Sequence, residues 1–278
     1  MKLKRPLPLN RSFTQILNHY LVEKAIAGKL KQANREERKL IYATMYDELF
    51  NQIPDHPRLI RKEDEALTLK INKKKFALVN RYLENSTVFA EFAPGDCSFA
   101  VEVAKYVKYV YGIDISEQRS PMNYVLGNFK LIIYDGYNLE IVKDNSVDIV
   151  FSHQLIEHLH QEDTKLHFQL VYRILKNGGK YIFQTPHAFS GPHDVSKYLS
   201  DEPEGFHLKE WTCIELKQLF MELQYSQLFF FWYGKGIKFK MPYSYFEICE
   251  KMLGLFPKKY SRFITKYIIP SISCIAIK

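Results

Sequence analysis

A short loop behind an apolar segment is the first place in this sequence where chemistry is expected. Residues 87–93 form an apolar run with Glu91 near its end, and Pro94 and Gly95 follow directly. Because glycine has no side chain, backbone N–H groups in such a tight turn can approach a ligand closely. Many proteins with β-sheets carry a glycine after a strand, so the loop alone does not identify a ligand-binding site. The residues that follow it along the chain provide the further evidence.

An acid at the end of the next apolar segment supports a nucleotide site. Asp114 lies about 20 residues beyond Glu91, the distance at which a ribose-binding acid is expected after a glycine loop. The two oxygens of a carboxylate can accept hydrogen bonds from both hydroxyls of a ribose. This pairing needs a free 2′-hydroxyl, which disfavours NADP as the ligand.

Two more polar pairs follow the next apolar segments along the chain. Asp135 and Gly136 come after one segment, and Ser152 and His153 after the next. In open α/β sheets, ligands bind at the carboxyl ends of the strands. We therefore expect these residues and the glycine loop to lie at one common site.

The elements that must position these residues are short strands that alternate with helices. The alternation predicts an α/β fold, a Rossmann-like, doubly wound and mostly parallel sheet with helices on both faces. We expect about seven strands, of which the last is antiparallel. The strands are predicted at residues 87–93, 109–115, 129–134, 147–152, 180–185, 225–233 and 271–277, with helices at 97–107, 164–175 and 208–223.

The remaining parts of the chain are predicted to be helical. Residues 1–78 are expected to form an N-terminal helical cap, and residues 79–278 the sheet domain. Residues 234–270 are too long for a hairpin turn, and we interpret them as an insertion with two helical pieces that folds over the active site. Within the cap, apolar residues recur at helical spacing in residues 13–21, 33–50 and 66–83.

This order of elements resembles the class I S-adenosylmethionine-dependent methyltransferases over about residues 80–223. The resemblance rests on the loop at 91–97, on Asp114 and Asp135, on the segment 156–159 and on the turn at 175–179. It implies a methyltransferase fold and activity, with S-adenosylmethionine as the cofactor, and Asp135 at the adenine amino group. The cofactor-binding residues that it implies are Glu91, Ala93, Gly95, Asp114, Ile115, Asp135, Gly136, Ser152 and His153.

Ala93 departs from the family, which usually has glycine at this position. Alanine does not readily adopt a positive φ. We therefore expect either ordinary dihedral angles at Ala93 or a reduced affinity for the cofactor. A second alternative follows from this departure: a relative of the family that binds the cofactor but does not catalyse methyl transfer.

The segment that follows the fifth strand is expected to rim the acceptor site. It contains His187, His193 and Asp194. If the acceptor is a hydroxyl group, a base must remove its proton. We hypothesise that His187 or His193 is this base and that Asp194 orients it. The alternative is that these side chains hold the loop by hydrogen bonds.

Residues 185–196 and 205–212 resemble bacterial methyltransferases that act on small molecules and glycans, and residues 46–50 and 54–57 resemble the helical cap of that subgroup. The resemblance implies a small molecule or a sugar hydroxyl as the acceptor, and hence O-methylation. It further implies that Tyr46, His158 and His207 bind the substrate.

The net charge of +8 leaves an RNA methyltransferase as an alternative. Nucleic acid is not the expected partner, because the chain has no arginine-rich block and no RNA-binding signature. A NAD-dependent oxidoreductase is disfavoured, because the loop lacks a full G-x-G-x-x-G pattern.

No metal site is expected, because His153, His158 and His160 do not have the HExxH spacing. The four cysteines are far apart and form no CxxC pair, which is typical of reduced thiols in a cytoplasmic protein. The first ten residues have no apolar core of a signal peptide. The longest apolar run, residues 228–233, is too short to span a bilayer, so a cytoplasmic location is expected, and the oligomeric state is left open.

Overall fold

The structure is a computed structural model that describes residues 3–62, 64–119, 126–234 and 237–278. An eight-stranded sheet lies at its centre, with the strand order β3-β2-β1-β4-β5-β8-β6-β7. The strands β1 to β5 pair in parallel, and β8 runs antiparallel to both of its neighbours, β5 and β6. The strands are β1 Val88–Phe92, β2 Tyr109–Asp114, β3 Phe129–Ile133, β4 Val147–His153, β5 Leu175–Thr185, β6 Gln227–Gly234, β7 Ile237–Met241 and β8 Ile272–Ile277.

Helices precede the sheet and connect its strands. Four of them come before β1, one follows β1, one follows β4, one follows β5 and two lie between β7 and β8. They are α1 Phe13–Gln32, α2 Arg35–Gln52, α3 Pro57–Lys62, α4 Glu65–Val79, α5 Ser98–Ala104, α6 Gln161–Ile174, α7 Cys213–Glu222, α8 Tyr243–Gly254 and α9 Lys258–Ile268. The Rossmann-like α/β prediction and the N-terminal helices are thus confirmed.

Apolar side chains cover both faces of the sheet because successive residues of a strand point in opposite directions. In β5, Tyr181 and Phe183 belong to one apolar cluster and Ile182 to the other. In β1, Phe92 belongs to the first cluster and Phe89 to the second. These strands are buried on both faces, which explains why they appear in the sequence as nearly continuous apolar runs.

The strand register brings the predicted site residues to one edge of the sheet. Phe92 at the end of β1 lies beside Ile113 of β2 and Ser152 of β4. The strand order also reverses between β1 and β4, since β2 and β3 lie to one side and β5 to the other. Open α/β sheets bind ligands at such a switch point, beyond the carboxyl ends of the strands.

The N-terminal helices begin at well-defined caps. Ser12 and Gln15 form a capping box at the start of α1, and Asn34 and Glu37 form another at the start of α2. Each box satisfies backbone N–H groups that have no partner within the helix. Helix α4 packs on α5, which places the last cap helix directly beside the glycine loop.

Three details differ from the sequence prediction. Strand β7 was not predicted, although its alternating apolar and lysine residues fit an edge strand. Helix α7 begins at Cys213, five residues later than expected, because Thr212 and Glu215 form its capping box. The insertion contains the two expected helices, α8 and α9, but they pack on α7 and on the turn at Ala188–Ser190.

Within the described residues, no helix combines the length and the apolar composition that crossing a membrane would require.

Candidate active site

The glycine loop has an unusual backbone conformation. The φ angles of Ala93, Gly95 and Cys97 are +53°, +59° and +63°, all in the left-handed region. The N–H group of Ala93 donates to the carbonyl of Ile113 at 2.8 Å, which ties the loop to β2. The expectation of ordinary dihedral angles at Ala93 was therefore wrong. This alanine adopts the conformation that a glycine would take, at a cost of about 1 kcal/mol.

Asp114 lies directly beneath this loop and is held by it. Its Oδ2 accepts a hydrogen bond from the N–H of Gly95 at 3.2 Å, and its Oδ1 accepts from the N–H of Ile115 at 2.8 Å. Burial raises the pKa of Asp114, against the effect of these donors and of Ser116. The carboxylate is thus fixed in orientation before any ligand arrives.

Glu91 lies behind the loop rather than at its surface. Only 1% of this residue is exposed, and its Oε1 accepts from Nζ of Lys75 on α4 at 3.0 Å. Burial raises the pKa of Glu91, and the Lys75 ammonium opposes this shift. The contacts of Glu91 tie the helical cap to β1, so Glu91 positions other residues and lies outside the cavity wall.

One cavity of about 610 Å³ opens above the carboxyl ends of β1, β2 and β4. Four of the predicted cofactor-binding residues and two of the predicted substrate-binding residues lie on its wall. They are Ala93, Gly95, Asp114, His153, Tyr46 and His158. The cap supplies much of the rest, namely Arg58, Thr68, Ile71, Asn72, Lys74 and Lys75.

The helical cap, rather than the insertion, covers this cavity. None of the described residues between 237 and 270 lies on its wall. Residues at the two ends of the insertion do line the cavity, namely Tyr233, Gly234 and Ser271. The expectation that the insertion folds over the active site is corrected accordingly, because α8 and α9 are held against α7 instead.

Four further wall residues were not predicted from the sequence, namely Arg58, Asn72, Lys75 and Gln184. The guanidinium of Arg58 lies 5.1 Å from the ring centre of Tyr46, and its charge also acts on Asp114. The Asn72 side chain donates to Ser98 Oγ at 3.1 Å. Arg58, Asn72 and Lys75 reach the site through the packing of α3 and α4, and Gln184 lies near the end of β5. No local pattern in the sequence marks them.

Four predicted cofactor-binding residues besides Glu91 do not line the cavity. Asp135 pairs with Lys39 at 2.6 Å and accepts from the N–H groups of Tyr137 and Asn138. Partial burial alone would raise the pKa of Asp135, but these partners lower it to about 2. Asp135 lies instead on a second recess of about 450 Å³. The other three are Ile115, Gly136 and Ser152, of which Ser152 bonds to the hydroxyl of Tyr181.

His187 does not lie where a general base would be needed. It is completely buried, its Nε2 is 2.8 Å from Oε1 of Glu250, and its Nδ1 accepts from the N–H of Phe189. Glu250 also accepts from the N–H groups of Cys213 and Ile214. His187 therefore joins the insertion to the start of α7, and no part of it lines the cavity.

His193 and Asp194 also hold the loop together. The Nε2 of His193 is 2.8 Å from Oγ of Ser190, and burial lowers the pKa of this imidazole. Asp194 accepts from the N–H groups of Ser196, Gly205 and His207. Neither residue lies on the cavity wall. These contacts favour the buttressing alternative over a catalytic role for all three residues.

A group of buried polar residues lies behind His158. The rings of His158 and His207 meet edge to face with their centres 4.9 Å apart. The Nδ1 of His158 donates to the carbonyl of Phe206 at 3.0 Å, and Nδ1 of His207 lies 2.7 Å from Oε1 of Glu210. Thus His207, predicted to bind substrate, lies one side chain behind the wall and contacts it through His158.

Residues 90–183 match the protein family described as a methyltransferase domain. This segment is therefore similar to a methyltransferase domain. The match agrees with the predicted fold and with the expectation of an enzyme. No curated protein sequence matches the chain.

The solved structures similar to this chain share its fold. An S-adenosylmethionine-dependent methyltransferase from Archaeoglobus fulgidus is 17% identical, with a TM-score of 0.50, over 75% of this chain and 94% of that one. A chain of the complex between the Haloferax volcanii Trm112 methyltransferase activator and a methyltransferase is 13% identical, with a TM-score of 0.51, over 75% and 91%.

A third similar structure comes from a longer protein. Phosphoethanolamine N-methyltransferase 1 of Haemonchus contortus, solved with phosphoethanolamine and S-adenosylhomocysteine, is 16% identical with a TM-score of 0.50. The similarity covers 66% of this chain, which spans only 40% of the Haemonchus enzyme. The predicted cofactor, S-adenosylmethionine, agrees with the cofactor or cofactor product named for these structures.

Proposed function

We propose that this methyltransferase transfers a methyl group from S-adenosylmethionine to a hydroxyl oxygen of a small molecule or a glycan. The observation that carries the proposal is a cavity whose wall combines a nucleotide-type loop with polar and aromatic side chains. The glycine loop and Asp114 form one part of this wall, here called the cofactor end, and Tyr46, His153 and His158 also lie on the wall.

The cofactor end suits a nucleoside. The carboxylate of Asp114 is already oriented by Gly95 and Ile115, so it can accept hydrogen bonds from a ribose diol without reorganising. The left-handed backbone at Ala93 and Gly95 gives the loop the shape that glycine-rich nucleotide loops have. When bound, S-adenosylmethionine supplies a methyl group that its positive sulfur has already activated.

The rest of the wall suits a small polar acceptor. The cavity volume of about 610 Å³ falls within the range of small-molecule sites, about 300–1,000 Å³. Helices α3 and α4 cover it, so the chain can align the acceptor and exclude water. His153 is our candidate for the base that takes the hydroxyl proton, because its ring lies on the wall and is positioned by Gln184 Oε1 at 3.1 Å.

The first test is cofactor binding by calorimetry. We expect S-adenosylmethionine to bind and NAD not to bind, and we expect Asp114→Asn to weaken S-adenosylmethionine binding by about tenfold or more, since a ribose hydrogen bond to a charged group contributes about 1.5–3 kcal/mol. Asp144→Asn is the matched control, because Asp144 is exposed and pairs with Arg173, away from the cavity wall. A failure of S-adenosylmethionine to bind at about millimolar concentration would refute the proposal.

The second test concerns the acceptor. Nucleotide sugars and small hydroxylated metabolites are screened for uptake of a labelled methyl group, with amines as a separate arm. Transfer to an amine alone would overturn O-methylation while leaving the cofactor assignment intact. Transfer to RNA with steep salt dependence would support the alternative substrate class.

A further inference from the structure

Three groups of side chains in the described part of the chain, all buried except the half-buried His158, have the donors of a metal site. Each combines histidine with glutamate, and one also includes a cysteine. In each group, one ligand atom of every residue lies within 4.8 Å of the others. The groups are His19–Glu23–His56, His187–Cys213–Glu250 and Glu157–His158–His207.

Two of these groups are accounted for by hydrogen bonds within the protein. Both oxygens of Glu250 accept from backbone N–H groups at the start of α7, and Oε1 also bonds to His187. Both oxygens of Glu23 are likewise occupied, by His19 and by the N–H of Phe206. In neither group does the carboxylate have an oxygen left over for a ligand.

Glu157 is different, because one of its oxygens has no partner. The residue is 0% exposed, and Oε2 accepts from the hydroxyl of Thr185 at 2.9 Å. Its Oε1 is buried without any hydrogen bond in the structure. An unpaired carboxylate oxygen in the interior is costly, so this atom indicates a missing cationic or hydrogen-bonding partner.

The two histidines present the complementary feature. Nδ1 of His158 is used by the Phe206 carbonyl, and Nδ1 of His207 is used by Glu210. Each ring therefore has Nε2 as the nitrogen that can offer a lone pair. Metal-binding histidines typically hold the other ring nitrogen in this way, with a carbonyl or a carboxylate as the outer partner.

We propose that Glu157, His158 and His207 bind a divalent transition-metal ion, such as Zn²⁺, Mn²⁺, Co²⁺ or Fe²⁺, at the wall of the active-site cavity. Two imidazoles and one carboxylate suit these ions better than Mg²⁺ or Ca²⁺, which prefer oxygen ligands. Three protein ligands also leave positions open for a substrate, as in catalytic metal sites.

The place of the site indicates what the ion does. His158 lies on the cavity wall, so an ion held there faces the acceptor and lowers the pKa of a hydroxyl beside it. The O–CH₃ bond then forms as the S–CH₃ bond breaks, the bonding pair stays on sulfur, and the hydroxyl proton passes to His153. The proposal that the ion binds is argued from the three ligand side chains alone. The proposal that the ion assists methyl transfer rests on the proposed function.

The spacing of His158 relative to its neighbours His153 and His160 predicted no metal here. The proposed group joins Glu157 and His158 to a residue that lies beyond β5. The segment that supplies His207 is positioned by Asp194, which accepts from the N–H groups of Gly205 and His207. This contact gives the predicted loop residue Asp194 a positioning role for the metal site.

The test uses the full chain, stripped of metal with a chelator and then titrated with Co²⁺ in the absence of cofactor. We expect about one equivalent to bind, with the visible absorption bands of a nitrogen-ligated Co²⁺. Glu157→Gln and His207→Asn should each weaken binding by about tenfold or more, and Glu210→Gln by about 10–100-fold through its hold on His207. His160→Asn is the matched control, since this neighbour of the group can still cap α6 as asparagine.

Circular dichroism and S-adenosylmethionine calorimetry on every variant separate loss of folding from loss of the site. If Glu157→Gln does not fold, His207→Asn and Glu210→Gln decide the result. Failure of the wild-type chain to bind Co²⁺, Zn²⁺ or Mn²⁺, or unchanged affinity in the folded variants, would overturn the metal site. Because Co²⁺ is titrated without cofactor, this result is independent of whether the proposed methyl transfer is correct.

Discussion

At the scale of single residues, Asp135 is where the family resemblance and the geometry disagree. The resemblance implies contact with the adenine amino group, whereas the structure pairs Asp135 with Lys39 on α2. By contrast, Asp114 lies on the cavity wall, with its carboxylate oriented by loop N–H groups. Asp114 ends β2 and Asp135 comes two residues after β3. This small difference in sequence position does not predict that one acid faces the cavity and the other pairs with Lys39.

The pairing of Asp135 predicts a pH-dependent contribution to stability. Its pKa falls from the ordinary value to about 2 on folding, so the contribution is present above a pH of about 4 and is lost as the pH falls through about 2. We expect Asp135→Asn to lower the free energy of unfolding by about 1 kcal/mol at neutral pH, because the pair is partly exposed and screened by solvent. Urea denaturation at several pH values measures this.

Two results would count against this account of Asp135. The difference between wild type and Asp135→Asn should shrink as the pH is lowered from about 4 towards 2, and a difference that stays constant would contradict the pairing. Calorimetry on the same variant tests the family-based role. A clearly weaker affinity for S-adenosylmethionine would favour contact with adenine.

At the scale of elements, the sequence was informative about the strands and uninformative about what covers them. Each of the seven predicted strands is present, because buried parallel strands are short apolar runs with clear ends. Strand β7 was missed because its pattern of alternating lysines is weak over five residues. The wall residues Arg58 and Asn72 could not be predicted, because they reach the site through long-range packing of α3 and α4.

A buried ion pair between Lys75 and Glu91 helps to hold helix α4 over the glycine loop. Lys75→Met would leave Glu91, which is 1% exposed, without its cation. We expect the free energy of unfolding to fall by about 3 kcal/mol and S-adenosylmethionine to bind more weakly. Urea denaturation and calorimetry measure the two effects.

The matched control for Lys75 is Lys73→Met, an exposed lysine on the same helix, which should change neither quantity by more than about 0.5 kcal/mol. Combining Lys75→Met with Glu91→Gln should restore most of the stability, because the unpaired charge is then removed. A double variant no more stable than Lys75→Met would show that the ion pair does not hold the helix.

At the scale of the whole molecule, some histidines of the described chain lie at the candidate active site, and others connect elements of the fold. His158 lies on the cavity wall, with His207 directly behind it. His187 joins α8 of the insertion to the loop after β5 and to the start of α7. Residue type and sequence position suggested a base in the loop after β5, because a carboxyl-end loop is where a base is expected. Only the three-dimensional packing shows that His187 faces the insertion.

This division predicts different consequences for the two histidines that were candidates for the general base. His187→Ala removes a completely buried ring with two hydrogen bonds, so it should lower the free energy of unfolding by about 3 kcal/mol. His193→Ala removes a less buried ring with one side-chain bond to Ser190 and should lower the free energy of unfolding by about 1 kcal/mol.

At temperatures where both variants are folded, methyl transfer to the acceptor found in the screen should stay within about twofold of wild type. A loss of a hundredfold or more in a folded variant, the scale of a missing general base, would return that histidine to the catalytic mechanism and remove the base assignment from His153.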